Sequence, residues 1–178
     1  VEKDQYIARL HHPSVSVRNQ AVQKLNAVPW DSALTEEIKK VATDDPWWGL
    51  RRTAMASLVA HKTTDLIPFA RTINHQTEKE GRVRIQALYM VMDDTTNATR
   101  RYLEKMLNDT SYFVAAEAIS LFGLKYPADS FEVLKKFKAQ KSYRDVIKAA
   151  FTQAMQYSEN PKAAEALLEM AQANGNAQ

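Results

Sequence analysis

The sequence predicts an all-α chain that forms a right-handed α-solenoid of about five helical hairpins. Two observations carry this prediction: apolar residues recur at the spacing of one helix face, and the whole pattern returns every 31 to 33 residues. Self-similarity at such a period is the signature of stacked structural repeats. The low glycine content, four residues in 178, argues against an all-β fold with many tight turns.

Each repeat is defined by an anchor residue in its first helix. Alanine follows every anchor by four residues, and other, mostly larger apolar residues follow it by five and by eight. Offsets of 0, 4, 5 and 8 share one face of an α-helix. We expect the alanine to mark the closest approach of neighbouring helices, because a larger side chain there would hold them apart. The anchors and their alanines are Val17 with Ala21, Leu50 with Ala54, Val83 with Ala87, Val114 with Ala118 and Val146 with Ala150.

A second apolar-periodic segment completes each repeat, after a turn such as VPWDS or DDTTN. A single hairpin cannot bury its apolar face, whereas stacked hairpins share a continuous core. The chain begins at Val1, and its first helical segment has no upstream partner, so we expect it to be a piece of a larger protein. The predicted organisation is one domain over 1–178, with an orphan helix at 2–11 and repeats at about 12–43, 44–76, 77–108, 109–140 and 141–174.

The joint before the second anchor reads DDPWWGLRR and contains the most unusual residues of the chain. We expect Asp45 to be the N-cap of the next helix, with Pro46 at its first position. Trp48 stands where other repeats have valine, glycine or tyrosine, so we expect it to be largely buried between helices. Trp47 stands where they have serine or glutamate, so we expect it to be exposed. Trp47 and Arg52 are therefore the candidate docking surface.

Arginine directly follows the anchor in three successive repeats, at Arg18, Arg51 and Arg84. The favoured interpretation is a structural ladder, in which each guanidinium bonds a carboxylate or the free carbonyls of a neighbouring turn. The alternative is that these arginines capture a phosphate or carboxylate ligand. Arg52 lies outside the series, which makes it the better candidate for a ligand contact.

No catalytic, cofactor or metal site is predicted in this chain. It has no cysteine, and its four histidines lack the spacing of a tetrahedral metal site. No serine–histidine–acid set or glycine-rich phosphate loop is visible, so we expect a chain that is not an enzyme and holds no cofactor. No apolar run is long enough to span a membrane. We expect a soluble protein, with the cytoplasm and a periplasmic or secreted location both open.

The pattern of an apolar residue, arginine and alanine three residues later resembles HEAT-like repeats over nearly the whole chain. Two segments, DDPWWGLRRTAMASL and NDTSYFVAAEAISLFGL, look like the helical C-terminal domain of aminopeptidase N-like zinc metallopeptidases of the gluzincin family. That resemblance implies a non-catalytic domain that caps or docks onto a catalytic domain and shapes substrate access. The resemblance also implies that zinc is bound only by the catalytic domain, which is not part of this sequence. The family's motif of two histidines at i and i+4 is absent here, so no catalytic residue carries over.

Two other functions stay open. The first is a free-standing HEAT-repeat scaffold that binds a protein or peptide partner. The second is a HEAT-like DNA-repair glycosylase that binds DNA on its concave face, for which the basic stretch KKFKAQKSYRDVIK at 135–148 is the candidate contact. A net charge of only +3 argues against nucleic acid.

Overall fold

The chain is all-α, as predicted, in a computed structural model that describes residues 2–176. That part of the chain forms eleven α-helices and two short 3₁₀ helices, and it contains no β-strand. In chain order the α-helices are α1 Glu2–Arg9, α2 Val15–Leu25, α3 Ser32–Asp44, α4 Trp48–Ala60, α5 Leu66–Arg71, α6 Gly81–Met90, α7 Asn97–Met106, α8 Tyr112–Lys125, α9 Ser130–Leu134, α10 Val146–Met155 and α11 Pro161–Gly175. The 3₁₀ helices are Lys135–Phe137 and Tyr143–Asp145.

The predicted repeat bounds each take in two of the ten helices after α1, except that α3 and α11 each run one residue past the predicted end. Two second helices are short: α5 has six residues and α9 has five, continuing as the 3₁₀ turn. Local side-chain bonds explain how the chain turns after α5. Thr77 Oγ1 donates to the carbonyl of Thr72 at 2.8 Å and accepts the backbone N–H of Asn74 at 3.0 Å. Such bonds offer the backbone an alternative to further helical turns.

The repeating apolar positions form the core. The alanines four residues after the first four anchors have no exposed surface, and Ala150 in the last repeat is also buried. The apolar residues five and eight positions after the anchors are buried in every repeat as well. The first and last anchors, Val17 and Val146, are only partly buried, whereas the three between them are fully enclosed.

The chain folds into two compact units, one ending at Asp93 and the other beginning at Asp94. The boundary falls between α6 and α7, inside the third repeat of the sequence. In the first unit, α3 packs on α4, α1 on α2, and α6 on both α4 and α5. In the second unit the most extensive helix contact joins α8 to α10, and α8 also packs on α7 and α9.

The contact between α8 and α10 is close because it is made by the two smallest residue types. A Cβ placed on Gly123 of α8 would lie 2.4 Å from the Cβ of Ala154 and 2.7 Å from its Cα. Real side chains do not approach to that distance, so glycine is required here unless the helices separate. Ala154 occupies the position eight after the anchor, where the other repeats have leucine, valine or phenylalanine. Its small size is therefore explained by Gly123.

None of the helices between residues 2 and 176 combines the length and the apolar character that a membrane crossing requires.

Candidate docking site and its supporting joint

Arg18 and Asp45 form a buried ion pair that joins the first two repeats. Arg18 Nε donates to Asp45 Oδ2 at 2.6 Å, and its Nη2 donates to Oδ1 at 3.0 Å. Its Nη1 donates to the carbonyls of His12 and Pro13, both at 2.9 Å. The hydrogen bonds to Asp45 are the main cause that raises the pKa of Arg18 above its ordinary value. The guanidinium therefore stays charged and is held by four hydrogen bonds.

The same arrangement recurs one repeat later. Arg51 Nε and Nη2 bind the two carboxylate oxygens of Glu78 at 2.8 and 2.7 Å, and Nη1 donates to the carbonyl of Asp45 at 2.7 Å. The bonds to Glu78 raise the pKa of Arg51. Arg84 Nη1 donates to the carbonyl of Glu78 at 2.8 Å. Arg18 and Arg51 thus each hold the acidic residue 27 positions later in a bidentate pair.

The expectation that Asp45 caps α4 with Pro46 at its first position is wrong. The N-cap is Trp47, the helix begins at Trp48, and Asp45 is instead the C-cap of α3. The physical reason is that the Asp45 carboxylate is committed to Arg18, while its Oδ1 also accepts the backbone N–H of Trp47 at 2.9 Å. That bond closes a turn before the helix starts, and Pro46 lies inside this turn.

This side-chain turn is a feature of four joints. In each of them, the side chain of the residue five positions before the anchor accepts a hydrogen bond from the backbone N–H two residues later. That N–H belongs to the helix N-cap. Asp109 Oδ1 accepts from Ser111 at 2.8 Å, so Asp109 also precedes the N-cap rather than occupying it. The other acceptor–donor pairs are Glu78 Oε1 with Glu80 at 2.9 Å and His12 Nδ1 with Ser14 at 3.0 Å.

The two tryptophans of the joint differ in exposure. Trp47 is 45% exposed, whereas Trp48 is partly buried and lies beneath the guanidinium of Arg82, whose Cζ is 4.4 Å from the ring centroid. The ring of Trp47 folds over Gly49, where its Cζ2 lies 2.5 Å from the position that a Cβ would take. Any side chain at Gly49 would therefore displace the Trp47 indole. Trp48 is less enclosed than the sequence suggested: it is partly buried, and the exposed Arg82 lies over its ring.

Arg52 follows Trp48 by one helical turn on α4, so the two side chains share a face. Arg52 is exposed, and no ion pair joins it to another residue between positions 2 and 176. Arg82 is also exposed, and its guanidinium, which lies over Trp48, is 3.6 Å from the carboxylate of Glu80. Trp47, Trp48, Arg52 and Arg82, here called the tryptophan–arginine surface, thus combine aromatic area with positive charge.

A third tryptophan strengthens the same unit and was not singled out from the sequence. Trp30 stacks on His61 with ring centroids 4.0 Å apart and planes 7° from parallel. Its Nε1 donates to the carbonyl of Leu25 at 2.9 Å. The stack bridges the turn between α2 and α3 to the end of α4, and no regular spacing in the sequence signals it.

The basic stretch at 135–148 does not present a continuous row of free cations. Lys135 pairs with Glu132 at 2.6 Å, Lys138 pairs with Glu169, and Lys148 donates to Asn174 Oδ1 at 3.1 Å. Two of its lysines are thereby neutralised by glutamates.

Within residues 2–176 no group of three or more histidine, aspartate or glutamate side chains is arranged to hold a metal ion. No protein-family model matches the chain, and no curated protein matches it either.

Proposed function

We propose that this chain is a non-catalytic helical-repeat domain that docks onto a partner protein through the tryptophan–arginine surface. The observation that carries the proposal is the exposed indole of Trp47, which lies 6.3 Å from the ring of Trp48, on a joint that buried ion pairs hold in place. Exposed aromatic and arginine side chains dominate the energetics of protein interfaces. A rigid support increases the affinity that such a surface can give, since less conformational freedom is lost when the partner binds.

The finer form of the proposal is a right-handed HEAT-like solenoid that serves as the C-terminal domain of an aminopeptidase N-like zinc peptidase. The support for it is the repeated hairpin with its buried alanine, the arginine after the anchor and the two segments that resemble that domain. In this form the partner is the catalytic domain of the same polypeptide, which would hold the zinc, and this chain would shape substrate access. A free-standing repeat scaffold is the alternative that the same surface supports.

The DNA-repair glycosylase alternative has less support. Nucleic-acid binding relies on cations that neutralise successive phosphates, and Lys135 and Lys138 of the basic stretch instead bind glutamates of this chain. The net charge of +3 adds little electrostatic attraction.

The first test is the reading frame upstream of Val1. A zinc-peptidase domain encoded there supports the finer proposal, and its absence removes that proposal and leaves the scaffold. If the domain is present, it is produced separately and its binding to this chain is measured by calorimetry. Trp47→Ala and Arg52→Ala should each weaken binding by about tenfold or more, as hot-spot residues do, while the melting temperature stays within a few degrees of wild type.

Leu124→Ala is the matched control, because Leu124 is an exposed apolar residue of the other unit. It should leave binding unchanged. Equal affinity of the wild type and of the Trp47 and Arg52 variants would show that the tryptophan–arginine surface is not the docking site. The purified chain alone should show no peptidase activity and should retain no zinc after dialysis, which metal analysis checks.

A further inference from the structure

A polar groove lies along the exposed side of α10, in the unit that begins at Asp94. It is a shallow groove, largely open to solvent, with a volume of about 480 Å³. Ala149 and Thr152 lie midway along this side of α10, and their small size leaves the space open. The polar residues that line it are Arg144, Asp145, Lys148, Thr152, Gln153 and Gln156 on and beside α10, and Asn174 near the end of α11.

Three carboxamides give the groove both donors and acceptors. Gln153 Oε1 accepts from Ser120 Oγ at 3.4 Å, and Asn174 Oδ1 accepts from Lys148 Nζ at 3.1 Å. Both bonds use the amide oxygen and leave the NH₂ group as a donor. An extended polypeptide presents N–H and C=O groups in alternation, so a row of carboxamides is the side-chain set that can pair with both.

The groove is lined by positive charge, and exposed aromatic surface outside the lining lies next to one of its cations, Arg144. Arg144 and Lys148 line it, and Arg144 Cζ lies 5.6 Å from the ring centroid of Tyr143. Tyr143 is 62% exposed and meets the half-exposed ring of Phe113 edge to face, with centroids 6.5 Å apart. Among the lining residues that the structure describes, Asp145 is the single acidic one. The cations fit a carboxylate, and the two rings fit an apolar side chain.

We infer that this groove binds an extended peptide segment of a partner protein. An acidic side chain of the peptide pairs with Arg144 and Lys148, its backbone pairs with the carboxamides, and a neighbouring apolar side chain packs on Phe113 and Tyr143. The groove lies apart in the sequence from the tryptophan–arginine surface and does not depend on the function proposed for that surface.

Single-stranded nucleic acid would also use cations and stacked rings, but it needs a basic channel that follows successive phosphates. Here the lining combines two cations with one carboxylate and three carboxamides, a mixture suited to a peptide backbone. The peptide is therefore the favoured occupant.

The test is a titration of the full ¹⁵N-labelled chain, followed by amide chemical shifts. The probe is a short capped peptide with one phenylalanine and two glutamates, and the comparison is the same peptide with lysines replacing the glutamates. The acidic peptide should shift amides between residues 143 and 156, with an affinity about tenfold above that of the lysine peptide. Equal shifts with both peptides, or none at millimolar concentration, overturn the proposal and leave the groove as a solvated polar surface.

Arg144→Gly tests the cation without endangering the fold. Arg144 has a backbone φ of 52°, a left-handed conformation that glycine adopts at no steric cost. The variant should fold at least as well and bind the acidic peptide about tenfold more weakly. Lys162→Gln removes an exposed cation of the same unit outside the groove and should leave binding unchanged. A short oligothymidylate is titrated in the same way. If it shifts the same amide resonances more strongly than the acidic peptide does, the peptide proposal is wrong and the groove binds nucleic acid.

Discussion

The two units connect the first helices of their repeats by different physical means. In the unit that ends at Asp93, arginines on α2 and α4 reach to carboxylates in the next joint, and the ion pairs are largely shielded from solvent. In the other unit the arginine position holds Ala115 and Ile147, both buried, and α8 meets α10 directly through Gly123 and Ala154. One repeated sequence pattern therefore supports two kinds of joint, one polar and one dry.

The difference determines which changes each unit tolerates. A bidentate buried ion pair fixes geometry, but losing one partner leaves a charge without compensation. A contact between small residues involves no charge, but it has no room for added volume. We therefore expect the first unit to be most sensitive to changes of charge and the second to changes of size.

Removal of one buried carboxylate should have the largest effect. Asp45→Ala leaves the Arg18 guanidinium without its carboxylate and the Trp47 N–H without its acceptor. The free energy of unfolding should fall by about 3–5 kcal/mol, as for other broken buried pairs, which denaturant melts measure.

Lys3→Ala is the control for that change. Lys3 pairs with Asp31 at 2.6 Å, but Asp31 is exposed and Lys3 is partly exposed to solvent, so the loss should stay within about 1 kcal/mol. Comparable losses in the two variants would mean that the buried pair contributes no more than a surface pair.

A single added methyl group probes the dry joint. Gly123→Ala places a Cβ against the backbone of Ala154, so the helices must separate, and the loss should be about 1–3 kcal/mol. Gly175→Ala is the matched control, because nothing lies within 4 Å of its added Cβ. There the higher helix propensity of alanine should raise stability by up to about 1 kcal/mol. A stabilising Gly123→Ala would show that α8 and α10 are not held at this distance.

The sequence predicted the repeated core well because periodic burial depends on helix geometry alone. The alanine four residues after each anchor is enclosed in all five repeats, and the offsets required only a period of 3.6 residues. The partner of each arginine was harder to predict, because Asp45 next to Pro46 also fits a helix N-cap. The equal spacing of 27 residues from Arg18 to Asp45 and from Arg51 to Glu78 is the signal that could have identified both pairs.

Contacts that occur once could not be predicted from a repeat. Trp30 and His61 meet because two turns lie side by side, and no second copy of this pair exists in the alignment of repeats. The partial burial of Trp48 depends on Arg82, which stands in another repeat and outside the arginine ladder. The carboxamide groove of α10 likewise uses residues with no equivalent periodic role.

The stacked ring pair should add moderate stability to the polar unit. A double-mutant cycle with Trp30→Leu and His61→Ala should give a coupling energy of about 0.5–1.5 kcal/mol, the range of aromatic pairs in proteins. Denaturant melts of the two single variants and the double variant measure it. Additive losses would mean that the two rings lie together without stabilising each other. The stability of this unit would then come from the ion pairs rather than from the stacked rings.

The smallest effect concerns a polar group that the dry unit leaves unsatisfied. The Tyr126 hydroxyl is buried and has no hydrogen-bond partner among residues 2–176, although its ring packs on Phe122 and beneath Arg100. A buried polar group without a partner is unfavourable, so deleting it should be neutral or stabilising by up to about 1 kcal/mol. Tyr126→Phe tests this by denaturant melts, with the exposed Tyr157→Phe as control. A clear loss of stability at neutral pH would mean that the hydroxyl has a favourable contact.

The same substitution has a pH signature that distinguishes burial from other causes. Burial raises the pKa of Tyr126; Arg100 lowers it, while Asp94 and Glu104 add to the rise. The folded chain therefore keeps the phenol proton to a higher pH than the unfolded chain, which loses it near the ordinary tyrosine pKa of about 10. Above that value the unfolded state binds fewer protons, so the stability due to Tyr126 falls as pH increases. Tyr126→Phe lacks this loss, and its advantage over wild type should grow between neutral pH and pH values above about 10. A difference that stays constant across that range would show that the phenol ionises equally in both states and is not shielded from water.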